Sequence, residues 1–208
     1  MSQKTEMNKS KPTLIVIAGP NGSGKTSITS QILKHEWIQN CMYINPDNIA
    51  QEELGDWNNH EIVLKAAQIA TQRREDCIEK NESLIFETVL SAFDKIDFLK
   101  QAKNKGYFIR LFFVGTNHPS INASRIAHRV LEGGHDVAIT KIISRYTKSI
   151  SNCCIASTFV DRLYIYDNSK DYEEAILLFR SVNGNVEKKY SEINDWAIPI
   201  LNSLNKTN

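Results

Sequence analysis

The stretch GPNGSGKT, residues 19–26, follows a short apolar run from Leu14 to Ala18. The run predicts a buried strand, and Ile28 and Ile32 indicate a helix that begins near Lys25. Glycines at this spacing let successive main-chain N–H groups point at phosphate oxygens, and the start of the helix adds its positive dipole end. We therefore interpret the stretch as a phosphate-binding loop and expect a nucleotide-binding protein.

The loop also predicts which parts of a nucleotide it contacts. Lys25 is expected to reach the β- and γ-phosphates and the Thr26 hydroxyl to bind Mg²⁺, so ATP and Mg²⁺ are the expected cofactors. The residues predicted to bind the nucleotide are Gly19, Asn21, Gly22, Ser23, Gly24, Lys25 and Thr26. A plain glycine-rich connection is the competing interpretation, and the loop leaves open whether a phosphate goes to water, to a substrate or nowhere.

Length and composition favour one well-buried α/β domain. The chain has 208 residues, 41% of them hydrophobic, and a net charge of +1 with both signs interspersed. This balance shows no basic footprint for duplex nucleic acid, so a nucleic-acid partner is not expected. No apolar run approaches the roughly 20 residues that span a bilayer, and the polar residues 1–11 lack the apolar segment of a signal peptide. We expect a soluble, cytoplasmic protein without a membrane partner.

The cysteines and histidines show no spacing that is typical of a metal site. Cys153 and Cys154 are adjacent, and neighbouring cysteines rarely form a disulfide with each other. We therefore expect reduced, partly buried thiols and no structural metal.

Strand-like and helix-like segments alternate along the chain after the loop. The strand-like segments are 41–44, 83–87, 107–114 and 162–166, and the helix-like segments lie near 60–80, 92–105, 120–131 and 138–151. This alternation predicts a P-loop NTPase-type α/β fold, with a parallel sheet of about five strands and helices on both faces.

The last forty residues predict a smaller addition to this core. Asn183-Gly184 between two strand-like runs is a strong hairpin signal, and a helix from Ile193 to Leu204, interrupted by Pro199, follows. We expect a polar tail over 1–11 and a single domain over 12–208, divided into a core (12–170) and a peripheral hairpin and helix (171–208).

Polar residues follow the predicted strands, where ligands bind in parallel sheets. They are the loop itself, Asp47, Glu87 with Thr88, Thr116 with Asn117, and Asp167 with Asn168. Asp47 is the candidate base, because an ionised carboxylate can accept a proton from an attacking hydroxyl. The alternative is that Asp47 only caps a helix that starts around Asn48.

Arg125 and Arg129 lie four residues apart and share one face of a predicted helix. With Arg145 they supply guanidinium groups suited to charge that develops in phosphoryl transfer. Between them, the glycine pair in Leu131–His135 is suited to a mobile lid. The alternative is a solvated basic helix face.

Taken together and in this order, the motifs resemble those of the zeta toxin family. They are 19–26, Asn45-Pro46-Asp47, Phe86-Glu87-Thr88, 125–137, Arg145-Tyr146 and Asp167-Asn168-Ser169. The resemblance spans about residues 12–170. It implies an ATP-dependent kinase that phosphorylates a sugar hydroxyl of UDP-N-acetylglucosamine, and an antitoxin protein as a partner that obstructs the nucleotide site.

The resemblance also implies roles for single residues. Asp47 would be the base, Glu87 with Thr88 would bind the acceptor, and Arg129 and then Arg125 would stabilise the migrating phosphoryl group. This chain departs from the family at Val89, where the larger toxins have an acceptor-binding threonine. A second lid arginine of those toxins falls near His135.

Two other classes stay open on sequence grounds. Residues 131–135 differ from the ABC ATPase signature, and Phe86 precedes Glu87 where such an ATPase has an aspartate. The guanine-binding and switch motifs of GTPases are absent from the sequence. An ATPase, or a nucleotide-binding module without catalysis, are the alternatives to a kinase.

Overall fold

The computed structural model describes residues 11–38, 40–55, 59–132 and 137–204. Its strands are β1 (Thr13–Ala18), β2 (Met42–Ile44), β3 (Leu84–Thr88), β4 (Phe108–Gly115), β5 (Arg162–Asp167), β6 (Ile176–Val182) and β7 (Asn185–Lys189). Its α-helices are α1 (Lys25–Ile32), α2 (Pro46–Asn48), α3 (His60–Lys80), α4 (Asp94–Asn104), α5 (Pro119–Leu131), α6 (Ile139–Ser157) and α7 (Ile198–Leu204). Two 3₁₀ turns (Glu36–Ile38 and Asp195–Ala197) and a π-helical turn (Ile49–Glu53) complete the described elements.

Within the described residues, seven strands form one sheet in the order β2-β3-β1-β4-β5-β6-β7. The first five are parallel, as the sequence predicted. The predicted hairpin is also present, and positive φ angles at Asn183 and Gly184 form its turn. The hairpin continues the main sheet, because β6 pairs antiparallel with β5.

The sheet has a hydrophobic core on each face. Side chains alternate along β1, so Leu14 and Val16 face one core while Ile15 and Ile17 face the other, and all four are fully buried. The first core also contains residues of α3, α4, α6 and α7, whereas the second contains Ile28 and other residues of α1. Helices on both faces explain why the central strands are apolar throughout.

Two helix predictions need correction. α6 continues to Ser157 rather than ending near Ser151, because Cys153 and Ala156 extend its buried stripe into the core. The last helix begins at Ile198 rather than Ile193, and Pro199 lies in its first turn instead of interrupting it. Proline is tolerated there because its missing N–H would have no partner within the helix.

In the described part of the chain, none of the helices combines the length and apolar character that a membrane span requires.

None of the four cysteines, all of which lie in the described ranges, forms a disulfide. Cys153 is fully buried on α6, and burial raises the pKa of its thiol well above the usual range. A thiol that stays protonated in a packed core is a weak nucleophile and a poor metal ligand.

Candidate active site

The carboxyl ends of the parallel strands meet at one edge of the sheet, and the phosphate-binding loop crosses this edge. The Gly19 N–H donates a 3.2 Å hydrogen bond to the Thr88 carbonyl at the end of β3. Gly19 has a φ of +150°, and a Cβ there would lie 2.2 Å from the Val114 carbonyl oxygen of β4. Only glycine fits this passage between β3 and β4.

Two asparagine side chains hold the loop from outside. The Asn122 amide donates a 2.7 Å hydrogen bond to the Asn21 carbonyl, and the Asn168 amide donates one of 2.9 Å to the Ser23 carbonyl. The Ser23 hydroxyl is buried and has no hydrogen-bond partner among the described residues. A buried, unpaired donor beside a cradle of main-chain N–H groups fits a phosphate ligand.

Lys25 begins α1 and folds back over the loop. Its Nζ donates hydrogen bonds of 2.8 Å and 3.0 Å to the carbonyls of Gly19 and Pro20. Desolvation lowers the pKa of Lys25 to about 8; Glu87 raises this pKa, Arg129 lowers it and Asp47 raises it. The ammonium group therefore lies within electrostatic reach of two carboxylates and one guanidinium group.

A hydrogen-bond chain links the two carboxylate positions. The Tyr43 hydroxyl donates to Glu87 Oε1 at 2.9 Å, and the Asn45 amide donates to that hydroxyl at 2.9 Å. The other amide atom of Asn45, Oδ1, accepts the Asp47 N–H at 2.8 Å and caps α2. The cap is thus Asn45, with Pro46 at the first helical position, and not Asp47 as one alternative had it.

This arrangement leaves the Asp47 side chain exposed in the first turn of α2. Because the turn is fixed through Asn45, the carboxylate is held at the sheet edge without serving as a cap. Its role as a base remains a prediction.

Two threonines, Thr26 and Thr88, complete the set of predicted site residues. Thr26 is exposed in the first turn of α1, where its hydroxyl has the chemistry of a Mg²⁺ ligand. The Thr88 hydroxyl accepts the Leu90 N–H at 3.0 Å and can still donate to an acceptor molecule. Both assignments stay predictions.

The structure places the two arginines of α5 in different surroundings. Arg125 is tied to the segment after β5: Nε lies 2.7 Å from the Asp171 carboxylate, and Nη1 donates 2.8 Å to the Asn168 carbonyl. Arg129 is exposed, and its charge acts on Lys25. The two predicted phosphoryl-stabilising side chains therefore share a helix but not a set of contacts.

Arg145 on α6 also reaches the loop, through a 3.2 Å hydrogen bond from Nη1 to the Asn21 side-chain oxygen. The predicted lid is only partly described, because Gly133, Gly134 and His135 lie outside the described residues. Arg145 therefore connects the loop to the helix that follows the predicted lid.

A cavity of about 690 Å³ opens beside Arg145, between α6 and the β3–α4 connection. Lys141, Arg145 and Lys148 line it from one face of α6, and Phe93 lines it from the opposite side. Ser149 helps to hold the two walls together, because its hydroxyl donates to the Val89 carbonyl at 2.6 Å. The cavity is thus positively charged and has one aromatic wall.

Sequence reasoning missed several residues that shape the site. The Asn-Pro pair at 45–46 is a helix-start signal that identifies Asn45 as the cap. Tyr43 and Asn122 gave no such signal, since their partners are 44 and 101 positions away in sequence.

Comparisons with known proteins agree with this geometry. A family model described as "Zeta toxin" matches residues 1–176, which include every motif that carried the resemblance. An uncharacterized protein of Haemophilus influenzae is 30% identical over 132 residues, which cover 64% of this chain and 91% of that protein.

Two solved structures show the same fold. The PezAT toxin–antitoxin system of Streptococcus pneumoniae matches with a TM-score of 0.59 and 19% identity, over 95% of this chain and 86% of that chain. The complex of AvrRxo1-ORF1 and AvrRxo1-ORF2 with sulphate ions matches with a TM-score of 0.63 and 18% identity, over 85% of this chain. This chain spans 60% of the length of that one.

Proposed function

Because this chain belongs to the zeta toxin family, we propose that it is an ATP-dependent kinase that transfers the γ-phosphate to a sugar hydroxyl. Family membership supports P-loop phosphotransferase chemistry, and the acceptor is our own inference. One observation carries it: the charges of two carboxylates, Glu87 near the end of β3 and Asp47 after β2, both act on the Lys25 ammonium. A phosphate held by Lys25 would then lie close to groups that can bind and deprotonate an alcohol.

The phosphate-binding loop forms the phosphate side of the proposed site. Main-chain N–H groups of residues 19–26 would surround the phosphates, with Lys25 turning from the Gly19 and Pro20 carbonyls to the γ-phosphate. The Thr26 hydroxyl would hold Mg²⁺, and that ion would neutralise charge on the phosphate oxygens. A relative of this fold, AvrRxo1-ORF1 with its ORF2 partner, has been solved with ATP.

On the acceptor side, Asp47 is the base and Glu87 is the anchor. The acceptor oxygen forms a bond to the γ-phosphorus, the bond from that phosphorus to the β–γ bridging oxygen breaks, and the hydroxyl proton passes to the Asp47 carboxylate. Glu87, held by the Tyr43 hydroxyl, accepts a hydrogen bond from a second hydroxyl of the sugar. Thr88 contributes a hydroxyl next to it.

The basic cavity favours an acceptor that carries its own phosphates. Three cationic side chains on one face of α6, Lys141, Arg145 and Lys148, are more than an uncharged sugar needs. An exposed Phe93 ring offers a surface on which a base can stack. UDP-N-acetylglucosamine combines a sugar hydroxyl, a diphosphate and a base, and is the acceptor that we propose.

The two arginines of α5 have different proposed roles. Arg129, whose charge acts on Lys25, would stabilise charge on the migrating phosphoryl group. Arg125 is the second candidate for this catalytic role, as its position in the family pattern implies. Its contacts with Asp171 and Asn168 also allow it to brace the segment that touches the phosphate loop.

An antitoxin is the partner that we propose, since a structural relative comes from a toxin–antitoxin system. A partner that covers residues 19–26 would prevent ATP from binding. We place this activity in the cytoplasm, where ATP and nucleotide sugars are available.

Mass spectrometry tests the proposed function without presuming the acceptor. The purified protein is incubated with Mg-ATP and a metabolite extract, and we expect one new ion heavier than UDP-N-acetylhexosamine by a phosphate group. ATP alone should be hydrolysed slowly. Fast ATP turnover without any acceptor would indicate an ATPase, and neither turnover nor transfer would indicate a binding module.

Binding of Mg-ATP should weaken as pH rises above about 8. The pKa of Lys25 is lowered to about 8 in the free protein, and a bound triphosphate favours the ammonium form, so binding takes up a proton above that pH. We expect roughly a tenfold loss of affinity per pH unit above 8. Calorimetry at pH 8.5 in two buffers of different ionisation enthalpy measures the uptake, and Lys25→Met should abolish it. Binding without proton uptake would contradict this reading of Lys25.

A further inference from the structure

Trp196 connects the C-terminal segment to the edge of the sheet where the site lies. The residue follows the hairpin, beyond residue 176, where the match to the family ends. Its indole is only 7% exposed, and Nε1 donates a 2.8 Å hydrogen bond to Asp167 Oδ1 at the end of β5. The contact joins the last part of the chain to the end of β5, at the sheet edge that carries the phosphate-binding loop.

The indole also covers the end of the neighbouring strand. A Cβ on Gly115, the last residue of β4, would lie 2.3 Å from two ring atoms of Trp196. Nearby, the Asn194 amide donates to the Asn117 side-chain oxygen at 2.8 Å. The segment therefore contacts the ends of both β4 and β5, and glycine at 115 makes room for the ring.

Asp167 links Trp196 to the turn that follows β5. Its carboxylate accepts the Ser169 hydroxyl at 2.7 Å and the Ser169 N–H at 3.2 Å. The Ser169 hydroxyl in turn accepts the Asn117 N–H at 2.8 Å. With Trp196, these donors satisfy a carboxylate that is 8% exposed, and they fix the course of the turn.

The turn presents Asn168 to the phosphate loop. The Asn168 amide donates to the Ser23 carbonyl at 2.9 Å and occupies the space where a Cβ on Gly24 would lie, 2.0 Å away. The Asn168 N–H is itself held by the Gly115 carbonyl at 2.9 Å. The orientation of the loop around Ser23 thus depends on where Asn168 is held.

From this chain of contacts we infer that Trp196 is a positioning residue for the nucleotide site, acting through Asp167 and Asn168 on the phosphate loop. The inference rests on the proposed function for the identity of the ligand, a nucleoside triphosphate with Mg²⁺. A segment outside the family match thereby sets the affinity of the loop for this ligand without itself contacting the ligand. The inference also gives Asp167 a role, as the acceptor that holds the turn.

Trp196→Phe tests the inference, because phenylalanine keeps an aromatic ring but has no N–H donor. We expect the Kd for Mg-ATP, by calorimetry at pH 7, to rise about tenfold, with kcat changed less than about twofold. Asp167→Asn keeps one acceptor oxygen for the indole N–H but turns an amide NH₂ toward the Ser169 N–H, so it should raise the Kd at least as much as Trp196→Phe does. The two substitutions combined should cost less than the product of their separate effects.

Ile200→Val is the matched control, since Ile200 is fully buried on α7 in the same hydrophobic core as Trp196 and has no polar side-chain atom that could hydrogen-bond to Asp167. It should lower the melting temperature by a few degrees, as loss of about 1 kcal/mol does, and leave the Kd unchanged. If Trp196→Phe lowers the melting temperature like Ile200→Val but keeps the wild-type Kd, Trp196 is only a core residue and the inference is wrong. If the wild-type protein itself does not bind Mg-ATP, the proposed function fails instead.

Discussion

Replacing Asp47 by asparagine should reduce phosphoryl transfer by about a thousandfold or more, because the amide is not a base for the acceptor hydroxyl. Affinity for Mg-ATP should stay within about twofold, since in the proposed site the loop and Lys25, and not Asp47, hold the phosphates. The fold should also be unaffected, because α2 is capped by the Asn45 side chain and the main chain of Asp47 keeps that contact. Transfer is followed by the appearance of phosphorylated acceptor, and nucleotide binding by calorimetry.

Glu52→Gln is the matched control for Asp47. Glu52 is an exposed carboxylate in the π-helical turn that follows α2, so its replacement removes the same charge nearby. We expect its transfer rate to match that of the wild type. A wild-type transfer rate for Asp47→Asn would mean that Asp47 is not the base, and Glu87 would then be the next candidate.

The position of Asp47 shows what the sequence alone could predict. The phosphate loop and Asp47 each follow an apolar strand, and parallel strands bring their carboxyl ends to one edge, so their proximity needed only the order of elements. The residue that fixes the turn was missed, because Asp47, the candidate base, was also the only residue considered as a cap, and Asn45 was not considered. Both Asn45 and Asp47 are suitable caps, and only the direction of the side chains distinguishes them.

Contacts between distant parts of the chain gave no sequence signal. The bond from Tyr43 to Glu87 spans 44 positions, and the bond from Trp196 to Asp167 spans 29. Tyrosine and tryptophan in apolar surroundings are usually core residues, and their polar atoms find partners only once the strands are paired. The C-terminal hairpin was predicted from its turn, whereas its place in the main sheet follows from the unpaired edge that β5 would otherwise present.

Arginine roles were hardest to predict for the same reason. Spacing placed Arg125 and Arg129 on one face of α5, and the structure confirms that helix. Spacing says nothing about partners, however, and the segment after β5 supplies Arg125 with a carboxylate and main-chain oxygens. Such a set of contacts depends on which loop packs over the helix.

Lys25→Met should abolish transfer and weaken binding of Mg-ATP by roughly a hundredfold or more, because it removes the charge that we propose binds the γ-phosphate. The same change should leave the melting temperature within a few degrees of that of the wild type, because relief of the desolvation cost offsets the loss of the hydrogen bonds from Nζ to the Gly19 and Pro20 carbonyls. Desolvation lowers the pKa of Lys25 to about 8, so below this pH the folded protein holds an ammonium ion that would be better hydrated in the unfolded chain. Methionine fills similar space without that desolvation cost. Lys34→Met is the control: Lys34 is an exposed lysine just after α1, and its replacement should leave both Mg-ATP binding and transfer unchanged. Loss of activity together with a clearly lower melting temperature would mean that Lys25 supports the fold. Loss of activity without such a drop in melting temperature would mean that Lys25 acts on the bound triphosphate.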